Sequence, residues 1–222
     1  VYEDLHGRIV RGELRPGDAL AETRVGGQYG LSRTPVRAVF WRLSEEGFLR
    51  VIPQVGTFVA PISIPAVYDA QFVRETLECR AVADAAAAST PADIASLRDL
   101  FVQQRQAIAA ADFTSFFALD EQMHRQLMLL AGRPFVWQVI TSAKAQLDRV
   151  RFLSLEQDTW PAMILDQHDR IIDRVAHHDS EGAADIMTAH LRTAFAAIER
   201  IAADHPDFFD GPRTTPAAMR RA

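Results

Sequence analysis

Apolar positions follow two different spacings along this chain, and the change falls near residue 65. Leu5, Ile9 and Val10 share one face of a 3.6-residue period, which predicts a helix over Tyr2 to Arg11, with Gly12 as the cap that ends it. Arg15-Pro16-Gly17-Asp18 has the composition of a turn. A second short helix is expected from about Glu22 to Tyr29, stopped by Gly30. Ser32 suits the N-cap of a third helix, because its hydroxyl can accept from a backbone N–H one turn on. Pro35 is tolerated there because an amide so early in a helix has no helical partner. The third helix turns Val36, Val39, Phe40 and Leu43 inward and ends near Glu46-Gly47. Phe48 to Ile52 and Thr57 to Ala60 are short, β-branched runs on either side of Pro53-Gln54-Val55-Gly56, which predicts a two-stranded hairpin.

From Pro65 onward the chain is rich in alanine and leucine and shows no strand alternation. Helices are expected at about 66–88, 92–110, 113–131, 135–156, 160–178 and 181–204. The breaks fall at Thr90-Pro91, Ala111-Asp112, Gly132-Arg133-Pro134, Trp160-Pro161 and Asp179-Ser180. The expected fold is therefore mostly α: an N-terminal winged helix-turn-helix followed by an all-α antiparallel bundle of about six helices. Residues 1–62 form the first domain, 63–66 a linker, 67–204 the helical domain and 205–222 a frayed tail.

Composition narrows the function. With 48% hydrophobic residues the chain can bury a sizeable core, and it has no run of apolar residues long enough to span a bilayer and no signal-peptide pattern. A cytoplasmic protein without membrane contact is expected. Its single cysteine, Cys79, can form no internal disulfide and reads as a half-buried helix residue. The formal charge of −5 disfavours a general nucleic-acid coat. Through Ala60 there are eight Lys and Arg against seven Asp and Glu, which leaves sixteen against twenty-two beyond, so the net acidity lies in the helical part. A DNA reader needs only a local basic face.

Such a face is available at the start of the third helix. Arg33 and Arg37 are four apart and share a side, near the end that a helix-turn-helix inserts into the major groove. There an arginine can bond guanine O6 and N7 together. The hydroxyls of Ser32 and Thr34 suit phosphate oxygens, and Gly56 would let the wing backbone pass close to a duplex. Two arginines near a helix start are common, and what gives them weight is the ordered series around them. Gly12-Glu13-Leu14-Arg15-Pro16-Gly17 leads to Leu20. Next comes Gly30-Leu31-Ser32-Arg33-Thr34-Pro35-Val36-Arg37, then Leu43, Glu46-Gly47-Phe48 and Gly56-Thr57-Phe58-Val59. Over residues 3 to 60 this closely resembles the N-terminal domain of the GntR family of transcription regulators. The resemblance implies DNA contact by Ser32, Arg33, Thr34, Arg37 and Gly56. The chain departs from the family pattern at Val25-Gly26-Gly27, at Ala38 and at Val55, where a basic wing residue is frequent.

In the helical part, Asp120 and His124 are four apart on one helix face, while His168 and His190 lie mid-helix elsewhere. Three imidazoles and a carboxylate from three helices can bind a divalent transition ion and leave positions open. Each histidine alone could equally be a surface or satisfied core residue. Residues 66 to 203 resemble the ligand-binding helical domain of the FadR-like branch of that family, the FCD domain, with the helix count nearer its VanR-type subset. That resemblance implies a metal at Asp120, His124, His168 and His190. Zinc is the first choice, with nickel or manganese as alternatives. It also implies a small carboxylate or sugar-acid effector. Arg74 matches the pocket arginine of the family, and Arg149 and Arg151 are further candidates for the carboxylate, each with a surface salt bridge as the plain alternative. His177 and His178 read as C-terminal helix caps, and Trp137 and Trp160 as core. The expectation is a non-enzymatic homodimeric regulator, probed by operator DNA at one end and a carboxylate at the other. A metal sensor is the first alternative, a metal-dependent hydrolase the second, and a purely structural metal the third.

Overall fold

The computed structural model of the protein describes residues 1–155, 159–196 and 198–210. The first sixty residues form three helices and a small sheet. The helices are α1 (Tyr2–Val10), α2 (Glu22–Tyr29) and α3 (Arg33–Glu45), and the strands are β1 (Ala19–Leu20), β2 (Leu49–Ile52) and β3 (Gly56–Val59). Strand order is β1-β3-β2, antiparallel throughout, with Ala19 opposite Phe58 and Arg50 also opposite Phe58 on the other side. The hairpin and the three helices fall where the apolar spacing puts them. Strand β1 does not announce itself, because its two residues are held by a partner far along the chain rather than by any pattern of their own.

Two glycines make the turn between α2 and α3 possible. Gly30 ends α2 in the left-handed region at φ 64°, and the Leu31 amide returns to the Gly26 carbonyl at 2.9 Å. A Cβ on Gly26 would sit 2.7 Å from the Leu31 carbonyl oxygen, so the approach of the turn excludes a side chain there. Ser32 occupies the N-cap of α3 as expected, with extended backbone, but its hydroxyl makes no cap hydrogen bond. The oxygen expected to satisfy the helix start faces outward instead, which leaves it available to another donor or acceptor.

The helical domain comprises α4 (Ile64–Ala88), α5 (Pro91–Ala109), α6 (Phe113–Leu130), α7 (Val136–Ala143), α8 (Ala145–Ser154), α9 (Trp160–Ala176), α10 (Ser180–Ala196) and α11 (Ile198–Asp204). Three boundaries differ from expectation. Helix α4 begins at Ile64, capped by Ser63, so it absorbs most of the expected linker 63–66. The expected helix over 135–156 divides at Lys144, whose ammonium reaches Glu121 at 2.6 Å and also pairs with Asp148. No glycine or proline marks that division. Of the expected tail, residues 205–210 are seated: Pro206–Phe208 form a 3₁₀ turn, the Ile62 amide donates to the Phe208 carbonyl at 2.7 Å, and the Asp210 amide donates to Ile62 at 3.0 Å. Phe208 is buried against Gly12. Residue 156 and the tail residues 211–222 lie outside the described residues.

Two large apolar clusters organise the bundle, beside a small one of Ala81, Met128 and Ile140. One is shared with the N-terminal domain and joins Leu5, Phe40, Leu43 and Phe48 to Phe116, Leu147, Val150, Ile201 and Phe208. The other fills the far end with Val82, Leu97, Met123, Leu127, Ile171, Met187 and Leu191. Between them α4, α6, α9 and α10 each change from apolar to polar side chains, and this buried polar layer holds the candidate chemistry. Helix α8 ties the layer to the N-terminal domain, because Gln146 donates to the Gly47 carbonyl at 2.6 Å and Arg149 to the Ala60 carbonyl at 2.8 Å. Among the described residues no helix is long and apolar enough to cross a membrane.

Candidate functional site

The i, i+4 spacing of Asp120 and His124 sets both on the inner face of α6. His168 from α9 and His190 from α10 meet them there. One donor atom from each of the four lies within 4.8 Å of the others, and all four residues are buried. The Nε2 atoms of His124 and His190 are 3.2 Å apart. Asp120 Oδ1 lies 3.2 Å from His168 Nε2 and 3.8 Å from His124 Nε2.

The outer ring nitrogens determine what the inner ones present. His124 Nδ1 faces the Glu78 carboxylate at 2.5 Å, His168 Nδ1 faces Gln104 Oε1 at 2.7 Å, and His190 Nδ1 faces Gln167 Oε1 at 3.0 Å. Both glutamine amides are oriented by their other ends. Gln104 Nε2 donates to the Leu119 carbonyl at 3.1 Å. Gln167 Nε2 donates to Thr193 Oγ1 at 2.8 Å, whose own proton goes to the Ala189 carbonyl. Glu78 stays ionised: burial would raise its carboxyl, but the Arg74 guanidinium and the His124 ring outweigh it and hold it below the usual range. An Nδ1–H on each ring suits these three outward acceptors, and each Nε2 is turned into the cluster. Burial also pushes the His168 and His190 rings below their ordinary value, His190 strongly, with its neighbouring imidazoles adding to the effect. His124 Nε2 and His190 Nε2 face one another at 3.2 Å, and the buried His168 Nε2 has no hydrogen-bond partner among the described residues. A cation placed among the four would satisfy every one of these atoms.

Asp120 divides its two oxygens. Oδ2 takes the Arg151 Nη2 donor, while Oδ1 remains for the cluster. Burial alone would raise this carboxyl, yet the Arg151 guanidinium holds it well below its ordinary value. Arg151 also reaches Glu121 at 2.7 Å and Asp148 at 2.8 Å. A cavity of about 30 Å³ adjoins the cluster, lined by polar Arg74, Asp120, Arg151, Ser154 and His190 and by apolar Phe116, Phe117, Trp160 and Ile164.

Of the three arginines expected at an effector, the structure brings Arg74 and Arg151 to this cavity. Arg149 is elsewhere, buried in the seam between domains and bonded to Ala60 and Gln146. The reason is helical geometry: a step of two residues rotates a side chain by about 200°, so Arg149 and Arg151 face opposite ways. Burial without a carboxylate partner lowers the Arg149 guanidinium to about 10. The orienting residues Glu78, Gln104 and Gln167 were not singled out from sequence. Only Glu78 left a trace, as an acid four residues after Arg74. His177 Nδ1 meets the Asp173 carbonyl and His178 Nδ1 the Ala86 carbonyl, so both serve helix ends rather than the cluster. Cys79 is half buried beside Thr188.

At the other end of the molecule, Ser32, Arg33, Thr34 and Arg37 are all exposed at the start of α3, and Gly56 opens β3 at the wing. The two guanidinium groups are not free. Arg37 meets Glu22 through Nε at 3.2 Å and Nη2 at 3.3 Å, and Arg33 meets the same carboxylate at 3.4 Å. Glu22 was not anticipated from sequence.

Residues 1–59 match the family described as bacterial regulatory proteins, gntR family, and residues 69–193 match the FCD domain. A protein of Streptomyces ambofaciens, named as an HTH-type transcriptional regulator in an unstable DNA locus, is 40% identical over 94% of this chain and 88% of its own length. The HTH-type transcriptional repressor RspR of Escherichia coli strain K12 is 32% identical over 94% of this chain and 92% of its own. Among solved structures, E. coli McbR/YncC superposes with a TM-score of 0.76 at 22% identity, covering 90% of this chain and 95% of that one. A GntR regulator from Rhodococcus sp. RHA1 gives 0.75 at the same identity, over 90% of this chain and 95% of its own. At that identity the likeness shows a shared fold.

Proposed function

The chain belongs to the GntR family of DNA-binding transcription regulators and carries its FCD effector-binding domain, and from that premise we propose a metal-dependent repressor answering to a small carboxylate. The family and the named relatives are transcription regulators, not enzymes. The observation that carries the reading is the set of three imidazoles whose Nδ1 atoms each face an outward acceptor, so that three Nε2 atoms and one carboxylate oxygen converge. A donor set of three nitrogens and one oxygen suits a divalent transition ion, zinc before nickel or manganese, better than a hard, oxygen-seeking one. Such an ion, when bound by these residues, supplies open positions for an anionic oxygen. Arg74 and Arg151 stand at the adjoining cavity as charge-assisted donors for a carboxylate. Ser32, Arg33, Thr34 and Arg37 contact DNA, with Gly56 at the wing. Two copies of the chain read a pseudo-palindromic operator in the cytoplasm. The name of the relative RspR, a repressor, supports repression as the default output.

The test is elemental analysis of the purified chain with a thermal-shift screen of small carboxylates, using His124→Ala as control. Stoichiometric transition metal, and carboxylate-dependent stabilisation absent in the variant, are expected. A metal-free chain that takes up no zinc or nickel with its helical domain folded would sink the proposal and leave DNA binding untouched.

The size of the cavity favours a second reading. At about 30 Å³ it holds roughly two water molecules. An effector beyond the smallest acids needs α8 or α9 to shift, whereas an ion alone needs no opening. Operator binding that responds to chelation and ignores every carboxylate tested would establish the metal itself as the signal.

A further inference from the structure

The charge of the reading surface is thin. The N-terminal sixty residues carry eight basic against seven acidic side chains, Arg33 and Arg37 of α3 share the carboxylate of Glu22, the third arginine of that helix, Arg42, pairs with Glu46, and Val55 stands at the wing turn. The exposed large apolar side chains of this domain lie on α3, in the turn before it, on β2 and in the wing turn. Trp41 on α3 is 67% exposed, Val51 on β2 59% and Val55 69%, with Leu31 in the turn before α3 at 42%. Helix α1 carries none. An indole left 67% exposed on α3, the helix that also carries Arg33 and Arg37, is suited to a contact surface.

The helix phase says where Trp41 would be. Val36, Phe40 and Leu43 face the core, so Thr34, Ala38, Trp41 and Glu45 run down the opposite side. Trp41 follows Arg33 by eight residues, or about 12 Å along the axis at 1.5 Å per residue. The major groove is about 12 Å wide. When the first turn of α3 meets base edges, the third turn stands at the rim of the groove, against the sugar–phosphate backbone.

We propose that Trp41 is a backbone-contact residue of the DNA interface, its ring packed on deoxyribose and its Nε1–H donated to a phosphate oxygen. An indole carries no charge and displaces no condensed counterion. The contact therefore adds affinity that is independent both of sequence and of salt, compensating for the basic groups this surface lacks.

The experiment measures binding of the full chain to a labelled random-sequence 30-base-pair duplex over a series of salt concentrations, by fluorescence anisotropy. Trp41→Ala should weaken binding about five- to tenfold at every salt concentration, the loss expected for roughly 50 Å² of apolar contact, with the slope of log K against log salt unchanged. Arg37→Ala serves as contrast and should flatten that slope by about one. Trp41→Lys should regain affinity at low salt with a steeper slope, and Trp41→Phe should lose less than Trp41→Ala. Because Trp41 lies on the surface, thermal melting of these variants should match the parent chain. Wild-type affinity for Trp41→Ala at every salt concentration would overturn the proposal. So would a loss of affinity with a flattened slope. Altered sedimentation with unaltered DNA affinity would assign Trp41 to a contact between two copies of the chain instead.

Discussion

Replacing Gln104 by leucine tests the assignment of the imidazole protons directly. Gln104 is fully buried, and its amide oxygen accepts from His168 Nδ1 at 2.7 Å. Leucine has nearly the same volume but no acceptor. In the variant, an Nδ1 proton would be buried without a partner, at a cost of about 1–3 kcal/mol. Without metal the ring avoids that cost by carrying its proton on Nε2, where Asp120 Oδ1 is 3.2 Å away. Metal binding requires the Nε2 lone pair and so restores the whole penalty. The expected result is a fall in zinc affinity of about 10- to 100-fold, equivalent to roughly 1.4–2.8 kcal/mol, with little change in the melting temperature of the metal-stripped chain. Competition with a chromophoric chelator measures the first quantity and circular dichroism the second. Zinc affinity within about twofold of the parent would refute the tautomer argument. A metal-free melting temperature lowered by about 4–8 °C, the equivalent of roughly 2 kcal/mol in a domain of this size, would show that Gln104 serves packing instead.

Three further outcomes are expected. Gly26→Ala drives a Cβ to 2.7 Å from the Leu31 carbonyl and should cost about 1–3 kcal/mol, seen as faster hydrogen exchange through α2 and α3 while the helical bundle is unaffected. Phe208→Ala removes a buried ring from the seam, with an upper limit near 3–5 kcal/mol, and should appear as protease sensitivity at residues 60–63 with an undisturbed bundle interior. Arg33→Ala should relax preference at one base pair by about 1–3 kcal/mol in sites selected from a random library. Unchanged preference would remove Arg33 from direct base reading.

The N-terminal domain was legible because its signals are local. Gly30, Ser32 and the Pro53 to Gly56 turn sit next to the elements they delimit, and only β1 escaped, being defined wholly by its pairing with β3. Asp120 and His124 were legible for the same reason, as a spacing on one helix. The division at Lys144 was not, since it is associated with a side chain drawn toward Glu121 and Asp148 rather than with a helix breaker in the sequence. Gln104 and Gln167 acquire their roles only when α5 approaches α9 and α9 approaches α10, which no single-helix pattern records. The separation of Arg149 from Arg151 is itself written in the sequence. Two residues apart on a helix are on opposite sides, so Arg149 and Arg151 could not both have served one pocket.

The pairing of Ile62 with the segment around Phe208 also bears on how the molecule assembles. It joins position 62 to position 209, whereas the contacts of α1 to β3 close within sixty residues. Local contacts form early and distant ones late, so the two domains should acquire their interiors before the seam between them zips shut. Dismantling should run the other way. The strap at 205–210 would open first, leaving α8 and the shared apolar cluster as what still orients the reading domain.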